Sequence, residues 1–333
     1  IYTLWHTLPY TTLFRSLGKL IGAEAEPDPL PLVPVIPFEG ARSDELESLR
    51  RSLGARLAAP DEGAAALHVV EGELGTGRTT VLRGIKWWAQ LDEVPVLEVD
   101  CAGSGILGPL ARLVEGAVDI VGRDGAAGAL GARLLGSLER PGGEDDVDRL
   151  AVGAGDLLAR AAAEAGLLVL IDDLDRAAPE AQRALSGALL AVSPRARFGA
   201  VVTASVGFDW RERLGPGRGV RLPRLDERRI SALLRLYFGR QEASAARRVL
   251  EHTGGNPMFV GALLQDLAAS GEGLARLERL GPPTPLETYW RSRLGSLGAD
   301  ERSILEAAAV LGRSATAADL AAEQGMPGKY AIA

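Results

Sequence analysis

Apolar residues along the chain fall into two alternating patterns. Short apolar runs at Ala65–Val70, Val94–Val99, Leu167–Ile171, Phe198–Thr203 and Gly219–Leu222 have the length of strands. Before and between them, apolar residues recur at helical spacing over Asp44–Leu57, Thr79–Gln90, Ile106–Val121, Leu150–Ala165 and Pro179–Val192, which predicts amphipathic helices. The run Leu167–Ile171 is continuously apolar and suits a strand buried on both faces of a parallel sheet. Strands alternating with helices at this spacing predict an α/β fold, a parallel sheet with helices on both faces. The Gly- and Ala-rich stretch Gly122–Asp146 predicts one weak helix and a mobile loop. From Asp226 onward only helical spacing remains, and a proline-rich stretch, Pro27–Pro37, reads as a linker ahead of the first helix.

The boundary between the first strand and its helix carries the sharpest chemistry. Residues 71–80 read EGELGTGRTT, and Gly72-x-x-x-x-Gly77-Arg78-Thr79 follows the phosphate-binding pattern G-x-x-x-x-G-K-[ST] at every position except Arg78. Gly72, Gly75 and Gly77 carry no Cβ and tolerate positive φ, so successive backbone N–H groups can turn inward around an anion. The following helix aims its unpaired N–H groups and positive dipole end at the same place. The loop residues Gly72, Glu73, Gly75, Thr76, Gly77, Arg78, Thr79 and Thr80 are therefore candidate nucleotide contacts, and the Thr79 hydroxyl is a candidate magnesium ligand.

About ninety residues downstream, Leu167–Asp175 reads LLVLIDDLD. A carboxylate at the carboxyl end of a buried strand, beside a phosphate loop, is where a nucleotide enzyme holds magnesium. Asp172 is the candidate metal ligand and Asp173 the candidate for polarising an attacking water, with Arg78 as its catalytic companion at the phosphates. The plainer alternative is that Asp172, Asp173 and Asp175 open a polar loop and one of them caps the next helix.

Five segments, in order, carry a resemblance: FEGARSDEL (38–46), GELGTGRTT (72–80), LVLIDDLD (168–175), FGAVVTAS (198–205) and TGGNPMFVGALL (253–264). Over roughly residues 36–325 the chain resembles the STAND-class AAA-like ATPases, and among them the nucleotide-binding modules of large LuxR-type transcriptional regulators. The resemblance implies that Arg42 and Glu45 belong to a G-R-x-x-E box, although Ala41 separates Gly40 from Arg42, and that Glu73 is the acidic residue of the loop. It implies that Asn256 and Pro257 form a turn through which a helical lid senses the nucleotide. It also implies a P-loop domain over 38–224, a helical lid over 225–282 and a winged-helix-like segment over 283–325, the last resting on GSLGADERSILEAAAVLGRSATAADL (295–320). ATP with magnesium, self-association on activation and DNA contact through a C-terminal domain beyond this chain follow from the same likeness, residues 326–333 reading as a truncated tail.

Two residues depart from that pattern. Arg78 stands where lysine is expected, and a planar guanidinium is no substitute for a compact ammonium at a crowded phosphate. Ser205 occupies the position, after the strand VVTAS, where the family often carries an arginine that reaches the γ-phosphate. Both changes touch γ-phosphate chemistry, so the expected function is an ATP-binding switch with slow or absent hydrolysis. The alternatives are an active ATPase in which Arg78 is tolerated, and a nucleotide-independent scaffold or DNA-binding module.

Composition narrows the setting. The 333 residues are 47% apolar with net charge −7, enough for one substantial core plus smaller helical parts, and unfavourable for long-range attraction to DNA. The single cysteine, Cys101, excludes an internal disulfide and reads as a strand-end residue. No apolar run is long enough for a membrane-spanning helix, and a cytoplasmic protein is expected. Eleven arginines between Arg211 and Arg248 against four acidic residues offer either a nucleic-acid patch or ordinary solvated helix faces. His68 lies in an apolar strand and reads as a packed residue, and at least one of Trp87 and Trp88 is expected to pack against the sheet. Residues 1–16, IYTLWHTLPYTTLFRS, hold four aromatics and differ in character from the rest; they are expected to be a non-native leader, with residues 17–37 the linker.

Overall fold

The computed structural model describes residues 41–60, 66–101, 106–138, 144–239, 243–269 and 273–279, with a few isolated positions between 295 and 306. The expected leader, linker and tail lie outside the described residues, as does the winged-helix-like segment apart from those few positions. The described elements run α1 (Ser43–Ala58), β1 (Leu67–Gly72), α2 (Arg78–Leu91), β2 (Val96–Asp100), α3 (Gly108–Val121), α4 (Gly125–Leu138), α5 (Glu144–Ala161), β3 (Leu167–Asp172), α6 (Pro179–Ala191), β4 (Phe198–Ser205), α7 (Trp210–Leu214), β5 (Arg218–Arg221), α8 (Glu227–Phe238), α9 (Ala243–Thr253) and α10 (Pro257–Ala269). Short 3₁₀ turns cover Leu174–Arg176 and Gly273–Arg279.

The five strands form one parallel sheet in the order β2-β3-β4-β1-β5. Side chains alternate across a strand, so β3 divides its apolar run between two cores. Leu167, Val169 and Ile171 face a cluster built with α3, α4, α5 and α6. Leu168 and Leu170 face a second cluster built from Leu46, Leu49 and Leu53 of α1 and Val81, Leu82 and Ile85 of α2. Every residue of β3 is buried, as its unbroken hydrophobicity requires. Helices therefore cover both faces of the sheet, the α/β architecture expected from the sequence. Trp88 packs against the second cluster beside α1.

α8, α9 and α10 close around a third cluster that includes Ile230, Leu233, Val249, Val260 and Leu264, with Ala41 from just before α1. Asp226 caps α8 by accepting a hydrogen bond from the Arg229 N–H at 2.8 Å, and Gly239 ends that helix at φ 68°.

One boundary differs from expectation for a physical reason. α5 begins at Glu144, earlier than Leu150, and Asp146 sits in its first turn, where the helix dipole favours negative charge. The Gly- and Ala-rich stretch holds the one helix expected there, α4, whose small residues permit close packing: a Cβ on Gly131 would lie 2.1 Å from Val118 Cγ2. Asp175 falls inside the 3₁₀ turn, and α6 is entered through Pro179 without a side-chain cap.

Register fixes the working edge of the sheet. Gly72 of β1 pairs with Ser205 of β4, and Ile171 of β3 with Val202. The carboxyl ends of β1, β3 and β4 thus finish side by side, which brings the glycine-rich loop, Asp172, Asp173, Thr203 and Ser205 to one place.

Candidate functional site

The loop between β1 and α2 is shaped by its carbonyl groups. Gly75 and Gly77 adopt φ of 80° and 93°, in the left-handed region that favours glycine. Four successive carbonyls, from Glu73 to Thr76, are each held by a hydrogen bond. The Glu73 carbonyl accepts from the Thr76 N–H (3.2 Å) and hydroxyl (2.7 Å). The Leu74 carbonyl accepts from Asn256 Nδ2 at 2.9 Å, and the Gly75 carbonyl from the Met258 N–H at 3.1 Å. The Thr76 carbonyl accepts from Arg42 Nη2 at 2.8 Å and Nε at 3.2 Å. The first N–H groups of α2 have no intrahelical partner, and with the loop carbonyls secured they present a concave row of donors. Glycine is required at the contact with α10, since a Cβ on Gly75 would meet Asn256 Oδ1 at 2.8 Å; at Gly72 it would meet Thr76 Oγ1 at 2.3 Å.

The sequence-derived residues fall into three groups. Thr79, Asp172, Asp173 and Arg78 converge. Thr79 Oγ1 donates to Asp172 Oδ2 at 2.7 Å. Thr203 Oγ1 donates to Asp172 Oδ1 at 2.5 Å and accepts from the Asp173 N–H at 2.8 Å, which steadies Asp173 at its φ of 53°. Arg78 Nη2 donates to Asp173 Oδ1 at 2.8 Å, and Nη1 donates to Ser205 Oγ at 2.8 Å and to the Gly72 carbonyl at 3.2 Å. The ion pair is buried, with side chains 8% and 3% exposed.

A second group lies outside the donor row and braces it. Arg42, almost fully buried, holds the Thr76 and Pro223 carbonyls and donates from Nη1 to Glu45 Oε1 at 3.2 Å; burial lowers its pKa, and Glu45 opposes that shift. Arg229 of α8 donates to the same Glu45 oxygen at 2.7 Å, while Glu45 Oε2 has no hydrogen-bond partner among the described residues. Asn256 touches the Leu74 carbonyl and the Met258 N–H, and Pro257 opens α10 as its first residue. Glu73 pairs with Arg224 at 2.7 Å, on the stretch between β5 and α8. The third group, Gly72, Gly75, Thr76, Gly77 and Thr80, forms the backbone of the loop and the first turn of α2.

Among the described residues no cluster of three or more His, Cys, Asp or Glu side chains could hold a metal by itself. One carboxylate beside one hydroxyl suits magnesium, which is commonly bound by one or two carboxylates together with phosphate oxygens and water.

Sequence reading missed Thr203, whose signal was a polar residue inside the otherwise apolar strand Phe198–Ala204, and the Arg224 and Met258 contacts, which arise only from folding. His68 is packed, as expected: its Nε2 lies 2.8 Å from Ser52 Oγ, and burial together with Arg218 lowers its pKa to about 4. Cys101 follows β2 and is buried, its thiol pushed up to about 12 chiefly by burial, so it is inert as a thiolate nucleophile at neutral pH. Several arginines of 211–248 serve internal contacts, such as Arg213 with Gln182, Arg229 with Glu45 and Arg248 with the Leu277 carbonyl.

No family model matches the chain, and no curated protein matches it in sequence. Among solved structures, it is similar to the STAND protein with a tetratricopeptide repeat sensor from Pyrococcus horikoshii, at 15% identity and TM-score 0.50, covering 85% of this chain and 38% of that one. It is also similar to a point mutant of Thermotoga maritima RuvB (15% identity, TM-score 0.42, covering 87% and 84%) and to a DNA replication initiation factor (16% identity, TM-score 0.41, covering 75% and 70%). Sheet order, loop and strand-end carboxylates define an α/β P-loop NTPase fold, a parallel five-stranded sheet with helices on both faces. Among the described residues no helix is long and apolar enough to cross a membrane.

Proposed function

We propose that the protein is an ATP-binding signal-transduction switch of the STAND type with slow or absent hydrolysis. The observation that carries this reading is the bonding of α10 to the loop: Asn256 and the Met258 N–H hold the carbonyls of Leu74 and Gly75. Those carbonyls set the orientation of the N–H groups that would meet phosphate, so occupation of the loop and seating of the helices share one set of bonds. A ligand shifts a conformational equilibrium only by its difference in affinity for the two states, and in this reading these shared bonds would carry that difference. Residues 38–224 form the nucleotide-binding domain and 225–282 the lid in this reading.

Gly75, Gly77 and the first turn of α2, ending with Thr79 and Thr80, would hold the phosphates. Thr79 and Asp172 would hold magnesium, which offsets phosphate charge when bound. Asp173, seated by Thr203, would orient water. Arg42 and Glu73 act on the loop through its backbone and through Arg224. Low turnover follows from Arg78, whose guanidinium is tied to the carboxylate that would serve the water. Self-association on activation, a cytoplasmic setting and DNA contact through a further domain, as in LuxR-type regulators, complete the proposal.

Thermal unfolding with Mg-ATP tests it. At about 100 times the dissociation constant, ATP adds about 2.7 kcal/mol to a binder. An unfolding temperature unmoved over a wide ATP range would leave the nucleotide-independent scaffold instead.

A further inference from the structure

Arg78 follows the last glycine of the loop, yet its guanidinium is engaged at the strand ends. Nη2 is paired with Asp173, and Nη1 is shared between Ser205 and the Gly72 carbonyl. Three of its five N–H donors are thereby used, and Nε–H and one Nη2–H remain without a partner among the described residues. The backbone of Asp173 is held by its N–H bond to Thr203 Oγ1, and Arg176 Nη1 lies 3.5 Å from the other carboxylate oxygen. In a buried setting such a pair is hard to separate, because a departing Arg78 leaves the carboxylate only the longer contact to the exposed Arg176.

We propose that the Arg78–Asp173 pair, held in register by Ser205, discriminates nucleotides by their number of phosphates. The proposal rests on the nucleotide-binding reading. Two phosphates seated on the loop and the start of α2 use backbone donors and leave the pair intact. A third phosphate brings further negative charge toward Asp173 and gains the guanidinium only by drawing it from that carboxylate. While the pair is closed, cation and anion nearly cancel, so the third phosphate meets little net attraction. Ser205 is a positioning residue: its hydroxyl holds Nη1 at the end of β4 and keeps Nη2 aligned on Asp173. A lysine at position 78 has no second nitrogen with which to hold Ser205 and Asp173 as Arg78 does.

The test is calorimetric titration of the full chain with Mg-ADP and with the non-hydrolysable triphosphate Mg-AMPPNP, in wild type, D173N, S205A, R78M and R78M/D173N. D173N is expected to tighten AMPPNP about tenfold while moving ADP less than about twofold, and that gain is expected to vanish in the R78M background. S205A is expected to shift the ratio in the same direction by about threefold, and serves if D173N fails to fold. Equal gains from D173N with and without Arg78 would mean simple charge repulsion and would overturn it. An AMPPNP-to-ADP ratio unchanged in D173N and S205A would overturn it while leaving nucleotide binding intact. Wild type that binds neither nucleotide would sink the parent reading and this one together.

Discussion

Nη1 of Arg78 donates a hydrogen bond to Oγ of Ser205 at 2.8 Å, so the two positions at which the sequence departs from the pattern it resembles touch each other. The loop carries an arginine where that pattern has lysine, and the neighbouring strand end supplies a small acceptor for it. Both side chains of the Arg78–Asp173 pair are buried, which makes the arrangement part of the folded structure and not a surface contact of little worth.

Arg78→Lys should therefore free Asp173 and raise turnover. Phosphate release from Mg-ATP is expected to be barely above background in wild type and at least about tenfold faster in the variant, a change of about 1.4 kcal/mol in barrier. Vigorous release by the unmodified protein contradicts the slow-switch account.

Gly75→Ala should impair the loop twice over, through its φ of 80° and through the 2.8 Å approach of a Cβ to Asn256 Oδ1. A loss of about 1–3 kcal/mol in urea unfolding is expected, with weaker nucleotide binding. Wild-type stability and affinity in this variant would show that α10 does not constrain the loop.

Arg42→Met removes the donor to two backbone carbonyls and leaves Glu45 to Arg229 alone. Breaking such a buried cluster from one side costs about 3–5 kcal/mol. Arg42→Lys should recover part of that loss, since an ammonium restores the charge but not the fork. Equal stability of wild type and Arg42→Met by chemical denaturation would place Arg42 outside the framework of the loop.

His68 gives the protein an acid-sensitive strand. Its folded pKa of about 4 lies below the ordinary 6.5, so the fold favours the neutral ring. Above pH 6.5 that ring is neutral in both states and the protein has its full stability. Between pH 6.5 and 4 the unfolded chain takes up a proton that the folded chain refuses, and stability falls by up to about 3 kcal/mol. Urea unfolding across this range should show the fall, and His68→Gln should flatten it; an unchanged slope in the variant contradicts the assignment.

Much of the architecture was legible because strand and helix periods differ so clearly. The five apolar runs became the five strands, and Leu167–Ile171 announced a doubly buried strand by its lack of alternation. Thr79 beside Asp172 was also foreseeable, since loop spacing and strand-end chemistry both point there. The roles of Arg42 and Asn256 were not. Their residue types suggest ligand contact, while their bonds to backbone carbonyls depend on which way the loop turns, and no local pattern records that. The Ser205 partnership depends on strand order: Gly72 and Ser205 are distant in sequence and become neighbours only through β1–β4 pairing.

The central claim is that the loop and α10 report to each other through Asn256. Amide hydrogen exchange over residues 253–264, with and without saturating Mg-ATP, in wild type and Asn256→Ala, tests it most directly. The account predicts that nucleotide slows exchange at Met258, Phe259 and Val260 in wild type and that this added protection is largely lost in Asn256→Ala. Nucleotide that binds, as judged by thermal shift, yet leaves exchange at those three residues unchanged in wild type would contradict it.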